Sequence, residues 1–298
     1  MIKMKGIIVP IVTPFTSDDK IDYVTTKELV DYLINKGVNS LYPCGTTGEM
    51  LKMSIKERKD FVEAVIEYAA GKVPVFVHVG AATTADTLEL AKHAYKNGAA
   101  GIGVVTPQFF NVNQRELEEY FITVAKSVPN DFSVYLYNIP QCSGNDITAE
   151  LAERLTKKTE NIVGIKYSYP DFNRFKEYLK INEGNFDVVC GPDQLFLPAL
   201  AMGCKGAVSG CSQCDPEPFC NVYSKFCSGD LEGAREAQNQ ANELATIIKA
   251  GANMAYFKAT MEYNGLPKSH MRAPALDLTK EEIHELYIEL DAYHKKYK

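Results

Sequence analysis

The sequence predicts an α/β fold, a (β/α)8 barrel with a helical extension at its C-terminus, and three observations carry that reading. Short β-branched runs alternate with amphipathic segments at a spacing of about 25 to 30 residues. The runs are apolar along their length rather than at every second residue, as in a parallel sheet covered by helices. Eight of them precede about residue 228, and eight is the number that closes such a sheet on itself.

The strand runs are GIIVPIVTPF (6–15), NSLYPCG (39–45), VPVFVHVG (73–80), GIGVVTP (101–107), FSVYLYNIP (132–140), NIVGIKYSY (161–169), FDVVCG (186–191) and GAVSGC (206–211). Between them lie helical segments over 25–37, 54–71, 84–98, 113–128 and 147–159, whose apolar residues recur at three and four. Thr84 and Ser54 stand at helix starts with an acidic residue soon after, and Gly37, Gly71 and Gly98 stand just past helix ends. An open doubly wound sheet is the alternative, but no strand run is followed by GxGxxG, so a dinucleotide site has no support. After SGDLEG (228–233) the alternation stops, and 231–250, 253–264 and 280–297 read as helices alone. The expected division is a barrel over 1–228 and a helical region over 229–298. No Ser/Gly/Pro-rich linker separates them, so the second should pack on the first.

Composition narrows the partners. The 298 residues are 46% hydrophobic and 23% charged with a net charge of −6, which argues against nucleic acid or an anionic membrane as the main partner. No apolar run approaches the ~20 residues that span a bilayer. The start, MIKMKGIIVPIVTPF, is basic then apolar, but Pro10 and Pro14 interrupt it and no small-residue cleavage site follows, so a signal peptide is not expected. Cys211 and Cys214 form a single CxxC without a second pair or nearby histidines; the eight cysteines read as reduced thiols of a cytoplasmic protein, with no metal.

The chemistry gathers at the strand ends, where barrels of this kind hold their active sites. Lys166 ends the sixth run with no acidic neighbour, although burying an unpaired ammonium costs several kcal/mol or strips its proton. A lysine whose charge is disfavoured becomes a nucleophile toward carbonyls and forms a Schiff base. Tyr137, near the end of the fifth run, offers a hydroxyl for proton transfer. GTTGE (45–49) follows the second run and places two hydroxyls between glycines, where backbone can approach a carboxylate closely. GPDQ (191–194) follows the seventh. Each has a plainer reading: a solvated strand-end lysine, a core tyrosine, a turn.

GTTGEMLKMSIKER, YNIP and GIK, at their spacings, resemble the dihydrodipicolinate synthase / N-acetylneuraminate lyase family of class I, pyruvate-dependent aldolases. The similarity runs from GIIVPIVTPFTSDDKID to NGLPKSHMRAP (264–274). It implies Lys166 as the Schiff-base lysine, Tyr137 as the proton-transferring phenol, and Thr46 and Thr47 as ligands of the pyruvate carboxylate, with Thr46 also bonded to Tyr137. It implies that the carbonyl near Val208 helps position Tyr137 or substrate. No cofactor is expected beyond the covalent pyruvate, and a homotetramer built from dimers is the expected assembly.

Departures from the family pattern bear on the substrate. Lysine-biosynthetic synthases carry an arginine two residues after the proline of YNxP, to bind a second carboxylate; here it is Cys142, and a thiol is no substitute for a bidentate clamp. Where the family places a tyrosine from a neighbouring subunit, TPQFFNV offers Phe110, which leaves the usual hydroxyl relay incomplete. Ser168 matches a threonine of sugar-acid members. Gly191 and Asp193 stand where a sugar hydroxyl would be held, although Asp193 reads equally as a helix cap. Gln194 and Gly210 depart from the sialic acid lyases, which have an acidic residue and a serine there. The expected activity is therefore cleavage of a 2-keto-3-deoxy sugar acid to pyruvate and an aldehyde. N-acetylneuraminate lyase and dihydrodipicolinate (4-hydroxy-tetrahydrodipicolinate) synthase are the alternatives, and an inactive ligand-binding barrel is the alternative of another class. A metal-dependent aldolase would have to rely on His78, a strand-end histidine without a partner at ligand spacing.

Overall fold

The computed structural model describes residues 1–297. Eight parallel strands, β1 (Gly6–Val9), β2 (Ser40–Leu41), β3 (Phe76–His78), β4 (Gly101–Val105), β5 (Ser133–Asn138), β6 (Ile162–Tyr167), β7 (Asp187–Cys190) and β8 (Gly206–Val208), follow one another in the order β2-β1-β8-β7-β6-β5-β4-β3. A bridge between Leu41 and Val75, with the Leu41 N–H donating to Pro74 O at 3.1 Å, joins the two ends. The sheet is a (β/α)8 barrel.

The strands are shorter than the apolar runs that announce them. Pro10 has no N–H for the ladder, so β1 stops at Val9 although the run continues to residue 15. Pro43 does the same to β2. Ser54 caps the helix Ile55–Ala69 in a reciprocal box with Glu57. The helix Thr84–Lys96 is capped by Thr83, not Thr84, because the acceptor must sit three residues before the N–H it receives, here that of Asp86. Gly37, Gly71 and Gly98 adopt φ of 81°, 73° and 82°, the left-handed exit that a side chain resists.

Side chains alternate across the barrel wall. Ile7 and Val9 face the helices, while Ile8, Tyr42, Phe76, Tyr135, Val189 and Val208 fill the interior. Two glycines make that filling possible. A Cβ on Gly103 would come within 1.9 Å of Tyr42 Oη, and one on Gly164 within 2.5 Å of the Tyr135 ring. The N-terminal end is plugged: Tyr135 Oη accepts the Met4 N–H at 2.8 Å and donates to Asp187 at 3.2 Å, with Lys3 on the same carboxylate at 3.2 Å.

Beyond the helix Pro216–Cys227 come Leu231–Ile247, Met254–Tyr263 and Lys280–Tyr297. The first lies against the barrel through Ala234, Ala237, Ala241 and Leu244, and its Gln238 donates to Asp193 O at 3.1 Å. No helix among the described residues is long and apolar enough to cross a membrane.

Candidate active site

Lys166 sits at the inner wall of β6, paired in register with Tyr137 on β5 and Val189 on β7. It is 6% exposed, at the floor of a cavity of about 360 Å³ open at the C-terminal ends of the strands. No carboxylate among the described residues pairs with it. Its Nζ lies instead over the faces of two aromatic rings, 4.0 Å from the Tyr137 centroid and 5.2 Å from that of Tyr42. A buried cation beside two ring faces keeps a modest attraction and lacks the acceptors that an ion pair would supply.

The loop after β2 brings two hydroxyls to the same floor. Thr46 Oγ1 and Tyr137 Oη are 3.3 Å apart, a hydrogen bond in which either can donate. Thr47 is buried beside it, and both threonines line the cavity. The loop is folded tightly: the Glu49 N–H donates to Thr46 O at 3.1 Å, and Thr13 Oγ1 donates to Gly48 O at 2.8 Å. Glu49 itself has left-handed backbone, φ 56°, a strained state for a side chain that its contacts offset. Its carboxylate, 3% exposed, accepts from Lys258 at 2.6 Å and Lys52 at 2.8 Å. Lys258 also donates to His270 O at 2.6 Å. Phe15 lies between Lys258, 4.7 Å from its ring centroid, and Arg272, 4.2 Å. The carboxylate-binding loop is thus tied to the C-terminal region by buried charge. Sequence reasoning missed this network, because Lys258 carries no motif and is far from GTTGE along the chain.

The other wall carries Cys142, Ser168, Gly191, Asp193 and Val208, which the loops at the strand ends bring to the cavity. Gly191 is required by packing, since a Cβ there would come within 2.1 Å of Ser168 Oγ. Gln141 donates to Ser168 O at 2.7 Å. Asp193 caps no helix; its Oδ2 accepts the Cys211 N–H at 3.4 Å and its Oδ1 has no partner. Burial pushes the Asp193 carboxyl above its ordinary range, with the nearby Ser209 and Cys211 and the charge of Lys166 opposing the shift. Gly251, Met254 and Phe257 close the rim from the C-terminal helices, a contribution the sequence did not signal.

Two other residues singled out in the sequence lie outside the cavity. Phe110 is 72% exposed on the loop after β4, packed edge-on against Phe109 at 5.0 Å and outside the cavity. His78 is buried below the floor with Nδ1 2.9 Å from Cys44 O and Nε2 unpartnered. Burial, then the Arg58 guanidinium and Lys166, hold its pKa well below the usual histidine value. Among the described residues no three His, Cys, Asp or Glu side chains are grouped to hold a metal. The eight cysteines are free, Cys211 and Cys214 both buried.

This geometry can be set beside known proteins. Residues 3–293 match the Dihydrodipicolinate synthetase family. A probable 2-dehydro-3-deoxy-D-pentonate aldolase of Escherichia coli K12, YjhH, is 32% identical over 297 residues, covering 98% of each chain. A 4-hydroxy-tetrahydrodipicolinate synthase of Sorangium cellulosum is 33% identical over 97% of each. The structure superposes on that of YagE from E. coli K12, solved in complex with pyruvate, with a TM-score of 0.92 and 30% identity, over 97% of this chain and 98% of that one.

Proposed function

The chain belongs to the dihydrodipicolinate synthetase family, and from that premise we propose that it is a Schiff-base aldolase in which Lys166 captures pyruvate and which cleaves a 2-keto-3-deoxy sugar acid. Membership makes it a lyase of the class I aldolase type acting on a small keto acid; the Schiff base, the residue roles and the sugar acid are this proposal. The observation that carries it is the unpaired, buried Lys166 amine against the Tyr137 ring, with Thr46 hydrogen-bonded to the Tyr137 hydroxyl.

Each group has a task. The amine adds to C2 of the keto acid, and the C2 oxygen leaves as water. The resulting protonated imine accepts the electron pair of the C3–C4 bond as it breaks, while the C4 hydroxyl gives its proton to Tyr137 Oη, which passes its own through Thr46 Oγ1 to cavity water, and the aldehyde departs. Tyr137, held by Thr46, then returns a proton to C3, and water releases pyruvate from Lys166. Thr46 and Thr47 hold the carboxylate, and Tyr137 needs no cofactor for this transfer.

Substrate choice is supported by the charge of the cavity. Lys166 is the single cation among its described lining residues, so no arginine or lysine is left to clamp a second carboxylate. Where such a clamp would stand, Cys142, Gln141, Ser168, Asp193 and Gln194 offer a thiol, amides, a hydroxyl and a carboxyl, a set suited to a chain of hydroxyls. The probable pentonate aldolase among the relatives agrees in substrate class. The proposal extends to a homotetramer of dimers, with the exposed Phe109–Phe110 pair as a contact, and to a cytoplasmic setting for eight free thiols.

Borohydride reduction with pyruvate, read by intact mass and peptide mapping, should add one pyruvyl group at Lys166. No adduct, or an adduct that persists in Lys166→Ala, overturns the reading. A coupled pyruvate-release screen across keto-deoxy hexonates, pentonates, sialic acid and 4-hydroxy-2-oxoglutarate, beside condensation with aspartate semialdehyde, tests the substrate class. Sedimentation tests the tetramer.

A further inference from the structure

Tyr42 has no part in the scheme above, yet its ring faces the reacting nitrogen at 5.2 Å, across from Tyr137. Its position is built into the barrel. It follows β2, its N–H donates to Val9 O at 2.8 Å, and its side chain lies in the space that Gly103 leaves open. The phenol oxygen has no hydrogen-bond partner among the described residues although the residue is 1% exposed, so the hydroxyl does not explain why a tyrosine-sized ring stands there. His78, its ring 6.2 Å from that of Tyr42 and 5.8 Å from that of Tyr137, is kept neutral by burial and Arg58 and brings no second cation to these rings.

We infer that Tyr42 is a binding face for the iminium at Lys166, which it favours over the free ammonium; this rests on the Schiff-base reading above. The bond balance explains the preference. When a lysine ammonium condenses with a ketone, the C2 oxygen leaves as water with two of the three nitrogen protons, and the positive charge stays on the N=C unit. Donors fall from three to one at constant charge. Nζ meets ring faces and no hydrogen-bond acceptor among the described residues. Ring faces attract a cation but accept no conventional hydrogen bond, so the ammonium divides itself between the rings and cavity water through its three donors, whereas the iminium, with one donor, depends on the rings for its charge. A carboxylate in the place of Tyr42 would instead hold the ammonium.

The test varies the ring's charge distribution at nearly constant shape. Tyr42→Phe and its mono-, di- and trifluorinated phenylalanine analogues are compared by borohydride trapping against pyruvate concentration, with thermal melts alongside. The half-saturating pyruvate concentration is expected to climb step by step with fluorine number, reaching roughly 2- to 30-fold over the Tyr42→Phe parent. A packing role would leave the series flat, and a flat series overturns the inference. If the native protein gains no adduct at all, the Schiff-base reading fails and takes this one with it; an adduct with a flat series removes only the role of Tyr42.

Discussion

Removing the charges of Glu49 and Lys258 one at a time tests whether this pair holds the carboxylate-binding loop in place. Both side chains are sealed, 3% and 2% exposed, at 2.6 Å. Burial outweighs the pairing, since it holds the Lys258 ammonium below its ordinary range in spite of Glu49. A buried pair of this kind adds little net stability over well-packed apolar residues, but stripping one partner strands the other, at about 3–5 kcal/mol. The two sides are unequal here. Glu49→Gln removes the counter-charge and leaves Lys258 with neutral acceptors, the His270 carbonyl and the new amide oxygen, so about 3–5 kcal/mol is expected. Lys258→Met leaves the carboxylate with Lys52 at 2.8 Å and the Arg272 N–H at 3.4 Å, so about 1–2 kcal/mol is expected. At roughly 2–4 °C per kcal/mol, Tm should fall by about 6–20 °C and 2–8 °C, respectively. In melts followed by circular dichroism, the double variant Glu49→Leu/Lys258→Met should be milder than Glu49→Gln alone, and the Glu49 variants should raise the KM for pyruvate through Thr46 and Thr47. A Glu49→Gln melt within 2 °C of the native protein (about 1 kcal/mol or less), or a larger loss for Lys258→Met, would refute the reasoning.

Three further outcomes follow from the site. Tyr137→Phe keeps the ring over Nζ and removes the hydroxyl, so pyruvate should still be trapped while cleavage slows about 10²- to 10⁴-fold; equal loss of trapping and turnover would count against a proton-transfer role. The Asp193 carboxyl is raised from an ordinary 3.8, so the folded state holds its proton to higher pH than the unfolded chain, and stability falls as pH climbs from about 3.8 through the raised value. Asp193→Asn should therefore gain in urea midpoint at pH 8 relative to the native protein and lose that gain toward pH 3, and a pH-independent difference would contradict the shift. Cys142 is exposed in the cavity, so alkylation by iodoacetamide should block turnover, pyruvate plus borohydride should not prevent labelling, and Cys142→Ser should remain active in the reagent; unchanged sensitivity of that variant would place the relevant thiol elsewhere.

What the sequence disclosed, and what it hid, follows from how far each contact reaches along the chain. The eight strands were legible because a strand buried on both faces must be apolar throughout, and the runs around Ile102, Leu136 and Val188 say so locally. Their ends were less so, since an apolar run such as 6–15 continues past Pro10, where the ladder stops. The helices after β6 and β7, Phe172–Tyr178 and Phe196–Met202, are 7 residues each, two turns that repeat too few times to show a period. Lys166 stood out because its charge contradicts its neighbours Ile165 and Tyr167, a conflict visible within one strand.

Tyr42 shows the opposite case. An aromatic residue in an apolar run reads as core, and Tyr42 is core by burial; what sets it apart is the nitrogen it faces, supplied by a strand four places farther round the sheet. The same holds for Glu49, whose meaning depends on Lys258 and Arg272 from the far end of the chain. Local conflict marks the group that reacts, whereas the groups that set its surroundings conflict with nothing nearby. A site of this kind is therefore half written in strand ends and half in packing: the amine at Lys166 could be found by asking which charge is out of place, and the rings and ion pairs around it only by asking what each buried charge touches in the folded chain.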